Sequence, residues 1–295
     1  MRDYPSELKS IPKRHDFLIC IDSDGTVFDT MPAKHRCFRD ALIRCFSLKG
    51  VDAECAAEVW KYVNLDSVYR GENRFRSLLL TLDLMRERGV ATPDASRLRA
   101  WIARENRLGN PALLALLEQE PGEEMSLIYR WSLESDEAIA ANVRGIKPFP
   151  LVRESLSRAS ESADLVVVSH TPCATLAREW REHAIDRFVL YLAGQECGTK
   201  TDHIRLISNG KYTPDHVLMI GDSRGDRSAA GSCGTLFFPI VPGHEAESWR
   251  AFFQEGLGRF LEGSFAGDYQ ERLLDLFQTV LLREPPWKHD SSSSA

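Results

Sequence analysis

Two aspartates stand two residues apart in Asp22-Ser23-Asp24-Gly25-Thr26, directly after the apolar run Phe17–Ile21. On an extended segment that spacing turns both carboxylates to the same side. Such a pair can divide the labour of a group transfer, one acid acting as nucleophile and the other as proton donor and acceptor. A tight turn at Gly25 lets backbone amides approach an anion. The same residues also suit an ordinary Asp-rich turn closing a strand, so the pattern alone is moderately specific. A second acidic pair lies in Gly221-Asp222-Ser223-Arg224-Gly225-Asp226, after His216–Ile220. Asp222 and Asp226 are one helical turn apart and both can face a hard cation; capping the next helix is their plainer use. Ser169 follows Asp164–Val168 and sets a hydroxyl at another strand end, to meet a ligand or to cap the segment after Pro172. Lys200, in Gly198–Asp202, is a lone loop lysine, a kind of residue that is ordinarily solvated.

Elements must bring these residues together. Short β-rich runs stand at Phe17–Ile21, Asp164–Val168, Phe188–Leu192, His216–Ile220 and Thr235–Phe238. The last four are each separated by enough chain for a helix, which indicates a parallel sheet covered on both faces. In such a sheet ligands bind at the carboxyl ends of the strands, where the acidic pairs and Ser169 fall. From Ile21 to Asp164 the chain is far longer than one crossover needs. Within it, Ala33–Phe46, Ala53–Tyr62, Arg74–Arg88, Pro93–Asn106 and Pro111–Glu118 carry apolar residues at helical spacing. The expected fold is therefore α/β: a doubly wound parallel sheet from residues 1–32 and 146–290, with a helical domain, 33–145, inserted. Gly145–Pro150 is the expected return hinge, and Ala246–Leu261 and Asp268–Leu282 are two closing helices. The tail, 285–295, has a disordered composition.

In this order and at these strand ends, Asp22–Thr26, Ser169, Lys200 and Asp222–Asp226 match four motifs, and the chain resembles the haloacid dehalogenase (HAD) superfamily of phosphohydrolases. The insertion just after the first motif resembles the cap of one large branch, as does DSDGTVFDT with Asp29-Thr30. The resemblance implies a phosphoric monoester hydrolase in which Asp22 attacks phosphorus. Asp24 protonates the leaving oxygen and then activates the water that hydrolyses the aspartyl phosphate. It further implies a phosphate site of Gly25, Thr26, Ser169, His170 and Lys200, and Mg²⁺ held by Asp22, the Asp24 carbonyl, Asp222 and Asp226. Clustered acids around a phosphate dianion need both the metal and Lys200, since they would otherwise repel the substrate and the developing charge. Three features depart from the family pattern. Ser23 replaces the apolar residue commonest between the two aspartates, and the insert is larger than the cap of small sugar-phosphate members. His35, preceded by Lys34, is displaced from the hinge histidine of mutases and reads as a helix-surface residue.

The composition, 43% hydrophobic and 27% charged, is that of a globular protein with a core. With a net charge of -6 and both signs interspersed, no clustered basic surface for nucleic acid is expected. No apolar run approaches a membrane span, and the seven scattered cysteines form no zinc pattern. Buried free thiols in a cytoplasmic enzyme, acting on a small phosphorylated substrate, are the simplest expectation. A phosphosugar mutase uses the same sheet residues, and a phosphonatase would need an inserted-domain lysine such as Lys34, Lys49 or Lys61. A non-catalytic binding module is the alternative from another class. Substrate reading is assigned to the polar break Tyr69–Arg74, where Arg70 and Arg74 offer planar forks and Asn73 an amide; a solvated turn is the plain alternative.

Overall fold

Runs of Val, Ile, Leu and Phe pair side by side. The computed structural model describes residues 3–105 and 107–290. The strands are β1 (Phe17–Ile21), β2 (Ala163–Val168), β3 (Tyr191–Ala193), β4 (Val217–Gly221) and β5 (Leu236–Pro239). All pairings are parallel, in the order β3-β2-β1-β4-β5. Every residue of β2 and β4 is buried, and β1 is buried from Leu18 onward, because helices cover both faces. Ile19, Ile21, Leu165, Val167, Leu218 and Ile220 pack against Phe28, Trp180, Phe238 and Trp249 in one core. The first strand is central. The chain winds outward from it on one side through β2 and β3, then on the other through β4 and β5, so the switch in winding falls between β1 and β4.

Two expected boundaries shift. The third apolar run, expected at Phe188–Leu192, pairs only from its end; Asp186–Phe188 instead makes a tight helical turn. At the sheet edge a single neighbour ties the run down, and Phe188 and Val189 pack partly buried on the core. The helix expected from Pro93 starts at Ser96, whose N–H is taken by the Asp94 carboxylate at 3.1 Å, and ends at Arg104. Asn106 lies outside the described residues.

The chain divides into two units, Met1–Thr30 with Gly145–Leu281 and Met31–Arg144 with Leu282–Ala295. The second is helical: Met31–Cys45, Gly50–Lys61, Arg74–Glu87, Ser96–Arg104, Asn110–Gln119 and Glu123–Asn142. Its core is aromatic, with Trp60, Phe75, Trp101 and Trp131 in edge-to-face contacts. The Trp131 indole N–H donates to the Phe38 carbonyl at 3.1 Å. The stretch from Leu282, part of which has the composition of a disordered tail, is built into this unit. Leu282 and Val68 exchange backbone hydrogen bonds with their surroundings: the Leu282 N–H donates to the Asp66 carbonyl at 2.8 Å, and the Val68 N–H to the Leu282 carbonyl at 2.9 Å. Trp287 sits edge-on to Tyr62 and under the Arg88 guanidinium. Those apolar and cation–π contacts order a segment whose Pro and polar content alone argues for disorder; residues 291–295 lie outside the described residues.

Candidate active site

Four of the acidic and basic residues singled out in the sequence meet at the carboxyl end of the sheet. Asp22 directly follows β1, and its N–H donates to the Ile220 carbonyl of β4 at 2.9 Å, which holds the strand end in place. One oxygen each from Asp22, Asp222 and Asp226 lie within 4.8 Å of one another, and all three residues are buried. The Lys200 ammonium is 3.0 Å from Asp22 Oδ1 and 2.6 Å from Asp226 Oδ1. Burial lifts the Asp22 carboxyl well above the usual range; Lys200 opposes this, but Asp226, Asp222 and Asp24 add to it. Burial works against the charge on Lys200, yet the carboxylates of Asp22 and Asp226 outweigh it and its pKa rises.

Each of these side chains is set by local geometry. Lys200 is not a loop residue: it opens the helix Lys200–Ser208, capped by a reciprocal Thr199–Asp202 pair, and is 7% exposed. Asp226 does both jobs the sequence allows. Its Oδ2 accepts from the Ser223 N–H and hydroxyl, closing the cap of Arg224–Cys233, while Oδ1 meets Lys200. Gly221 makes this possible, because a Cβ there would stand 2.4 Å from Asp226 Cβ and Cγ. Asp222 Oδ1 accepts from the Thr26 hydroxyl at 3.2 Å, and the Thr26 carbonyl accepts from the Trp249 indole at 2.7 Å.

Asp24 is half-buried, and both its oxygens are held. The Thr30 hydroxyl donates to Oδ1 and the Thr171 hydroxyl to Oδ2, each at 2.5 Å. Neither threonine was singled out as part of the site in the sequence, although Thr171 follows Ser169 by two residues and Thr30 ends DSDGTVFDT. Ser23, the unusual residue between the two aspartates, is fully buried and accepts from the Trp180 indole at 3.1 Å. Its hydroxyl partner lies in the helix Cys173–Glu182, which accounts for a polar residue where an apolar one is common.

Some expected anion contacts are otherwise engaged. Gly25 has the positive φ of 74° its turn requires, but its N–H donates to the Phe28 carbonyl at 2.9 Å. The Thr26 hydroxyl is held by Asp222. Ser169 is buried after β2, and its Oγ accepts from the Thr171 N–H at 3.1 Å. His170 is an exposed residue, yet the protein packed around its ring, and then Lys200, lower its imidazole to about 4. In the helical unit, Asn73 caps Arg74–Glu87 by accepting from the Phe75 N–H at 3.0 Å and donates to the Leu108 carbonyl. Arg74 lies over the Phe38 ring, 2.6 Å from Asp136 and 3.1 Å from the Ser132 hydroxyl. These two, expected in a substrate-reading loop, are held by partners within the helical unit. Arg70 is buried rather than solvated, with one N–H 3.4 Å from the Leu65 carbonyl in the π-helical turn Tyr62–Asp66. His35, expected on a helix surface, is buried, and burial lowers its imidazole to about 4.

The donor set suits a hard divalent cation. Three buried carboxylates present oxygens at mutual distances that one ion can bridge, and no softer ligand joins them among the described residues. No helix among the described residues is long and apolar enough to cross a membrane.

No protein-family model and no curated protein matches the sequence. Solved structures do. A Bacteroides fragilis protein provisionally assigned as a haloacid dehalogenase-like hydrolase superposes with a TM-score of 0.50 at 19% identity, over 79% of this chain and 92% of that one. The fold is that of a haloacid dehalogenase-like hydrolase. A Haemophilus somnus protein described as a predicted phosphoglycolate phosphatase is 17% identical over 79% of this chain and 92% of its own, with a TM-score of 0.46. The HAD-hydrolase YfnB from Bacillus subtilis, crystallised with magnesium, is 14% identical over 76% of this chain and 86% of its own, with a TM-score of 0.44. In the haloacid dehalogenase-like fold of this chain, Asp22, Asp222 and Asp226 stand at the sheet's carboxyl end, next to its switch in winding.

Proposed function

We propose that the chain is a HAD-superfamily phosphoric monoester hydrolase that cleaves a small phosphorylated metabolite through an aspartyl phosphate on Asp22. The observation that carries this reading is the convergence of Asp22, Asp222 and Asp226 with Lys200 at the end of a parallel sheet. An Asp22 oxygen attacks phosphorus while the bond to the leaving oxygen breaks, and Asp24 delivers a proton to that oxygen. Asp24 then takes a proton from water, whose oxygen attacks phosphorus and releases the Asp22 carboxylate and inorganic phosphate. This double duty explains the two threonines. A hydroxyl donates to a carboxylate and accepts from a carboxylic acid, so Thr30 and Thr171 hold Asp24 in both protonation states. Lys200 sets a fixed positive charge beside the nucleophile, where charge is redistributed as phosphorus is transferred.

Asp22, the Asp24 carbonyl, Asp222 and, directly or through water, Asp226 would hold Mg²⁺. When bound, the ion neutralises charge on the transferring group and lowers its repulsion by the acids. Ser169 and Lys200 are the residues of this chain that would hold the phosphoryl oxygens. The helical unit, inserted after the first motif, would act as the cap in a cytoplasmic enzyme, with Arg70 the remaining candidate for reading the substrate.

Release of phosphate from p-nitrophenyl phosphate, measured with and without Mg²⁺, tests the reading. Metal-dependent turnover is expected. No release under any divalent cation would leave a binding module as the better description, and full turnover after exhaustive chelation would remove the metal from the site.

A further inference from the structure

Two cysteines far apart in the sequence face each other beside the site. Cys173 Sγ and Cys197 Sγ are 3.8 Å apart, Cys173 half-buried and Cys197 buried. Cys173 begins the helix Cys173–Glu182, two residues after Thr171, which holds Asp24. Cys197 ends the turn Gln195–Cys197, three residues before Lys200, which pairs with Asp22 and Asp226. The two loops are already laced together. The Gln195 N–H donates to the Thr171 carbonyl at 3.1 Å, and the Cys173 N–H to a Glu196 carboxylate oxygen at 2.9 Å. Gly194 permits the approach, since a Cβ there would come within 2.5 Å of the Thr171 carbonyl oxygen and 2.9 Å of the Cys173 sulfur.

We propose that Cys173 and Cys197 are an oxidisable dithiol whose disulfide displaces Thr171 and Lys200 and so switches turnover off reversibly. The oxidant is a hydroperoxide, for which hydrogen peroxide serves as the probe. The Cys197 thiolate attacks one peroxide oxygen; the S–O bond forms, the O–O bond breaks, and the departing hydroxide takes up a proton as water. Cys173 loses its proton and attacks the Cys197 sulfur; the S–S bond forms and the S–O bond breaks, releasing the second water. Two thiols and one peroxide give one disulfide and two waters. The contact between them lowers the Cys197 thiol and, with burial, raises that of Cys173. Half-buried Cys173 opens the pair to a small oxidant.

Closing the sulfurs from 3.8 Å to a disulfide brings them about 1.8 Å nearer, given an S–S bond near 2.05 Å, a change shared between side-chain rotation and movement of the two loops. A displacement on the order of 1 Å in positioning groups lowers turnover by roughly 10²-fold. The test treats the full chain with hydrogen peroxide and maps its peptides by mass spectrometry. A Cys173–Cys197 linked peptide, two hydrogens lighter and reopened by dithiothreitol, is expected, with a fall of roughly 10- to 100-fold in p-nitrophenyl phosphate hydrolysis that the same reductant reverses. Cys173→Ser and Cys197→Ser should each lose both the link and the reversible inhibition. Sulfinic acids or other cysteine pairings in place of this link overturn the proposal, and so does a link that leaves turnover unchanged. Should the reduced protein release no phosphate at all, the linked peptide and slowed amide exchange across 169–173 and 194–200 on oxidation still decide it; a link without that slowing counts against it.

Discussion

The sheet-end acids and the Tyr69–Arg74 stretch look alike in the sequence, each a polar break beside apolar segments with charged residues suited to an anion or a metal. In the structure they are opposites. Arg74 faces Asp136, Asp136 also accepts from the Asn110 amide, and the Ser132 hydroxyl joins Arg74 to the Asn110 carbonyl. The Arg74 charge finds its opposite in Asp136, and neutral donors close the network. At the sheet end like charges are crowded: Asp22 is pushed up by burial and by three neighbouring carboxylates, against the pull of Lys200. Folding alone has no reason to gather like charges out of water. Closed networks hold a structure together, whereas crowded like charges invite an ion or a substrate.

Substitutions can break or sharpen this contrast. The largest effect is expected from Asp22→Asn, which keeps the shape but removes the attacking oxygen; turnover should fall by roughly 10⁴-fold or more with the circular dichroism spectrum unchanged. Near-normal activity would end the proposed mechanism. Asp24→Asn should cost on the order of 10²–10⁴-fold with alkyl phosphates and less with p-nitrophenyl phosphate, whose leaving group needs no proton; equal losses on both would deny Asp24 the role of acid. Chelation with EDTA should abolish turnover and Mg²⁺ restore it, and Asp222→Ala should raise the Mg²⁺ needed for half-maximal rate, read in a metal titration. Arg74→Ala should leave KM for substrate and aryl ester alike while lowering stability to urea by about 1 kcal/mol, a modest figure because the Asp136 partner is partly exposed to water. A selective rise in KM for the natural substrate would restore that loop as a reader. Asn73→Ala should cost about 1 kcal/mol as a lost helix cap, with turnover unchanged.

Much of the fold was legible because the strands of a covered parallel sheet are short, apolar and evenly punctuated. β1 falls where the sequence puts it, and β2, β4 and β5 begin or end one residue away. The edge strand slipped because half of its apolar run packs without pairing. The helix Glu123–Asn142 was not singled out, although Met125, Ile128, Trp131 and Ser135 fall on one buried face; its polar and small residues dilute the apolar stripe. At the site, Asp22, Asp222 and Asp226 could be read from their positions after strands. Lys200 read as a solvated loop lysine until the family resemblance gave it a role, because the helix it opens and the acids it meets are set by the fold. Thr30, Thr171 and the Ser23–Trp180 contact could not be read, because a hydroxyl's partner is decided by which loops meet in space. The same limit hid the Cys173–Cys197 pair, which no local spacing announces. Gly25 was legible as a turn, but that its own amide is taken up in closing that turn was not, since the Phe28 carbonyl it meets is placed by the fold.

The central position of β1 also sets the order in which a nascent chain can become a protein. As the chain leaves the ribosome, β1 and the Asp22 loop emerge well ahead of both strands that flank β1, which come after residue 160. Met31–Arg144 is released in between and can collapse around its tryptophans while β1 still waits. That helical unit in turn receives another piece, Leu282 to Lys288, only after every strand of the sheet has emerged. β1 is thus paired long after it is made, and Asp22, which follows it, gains Lys200, Asp222 and Asp226 only once those later segments have emerged.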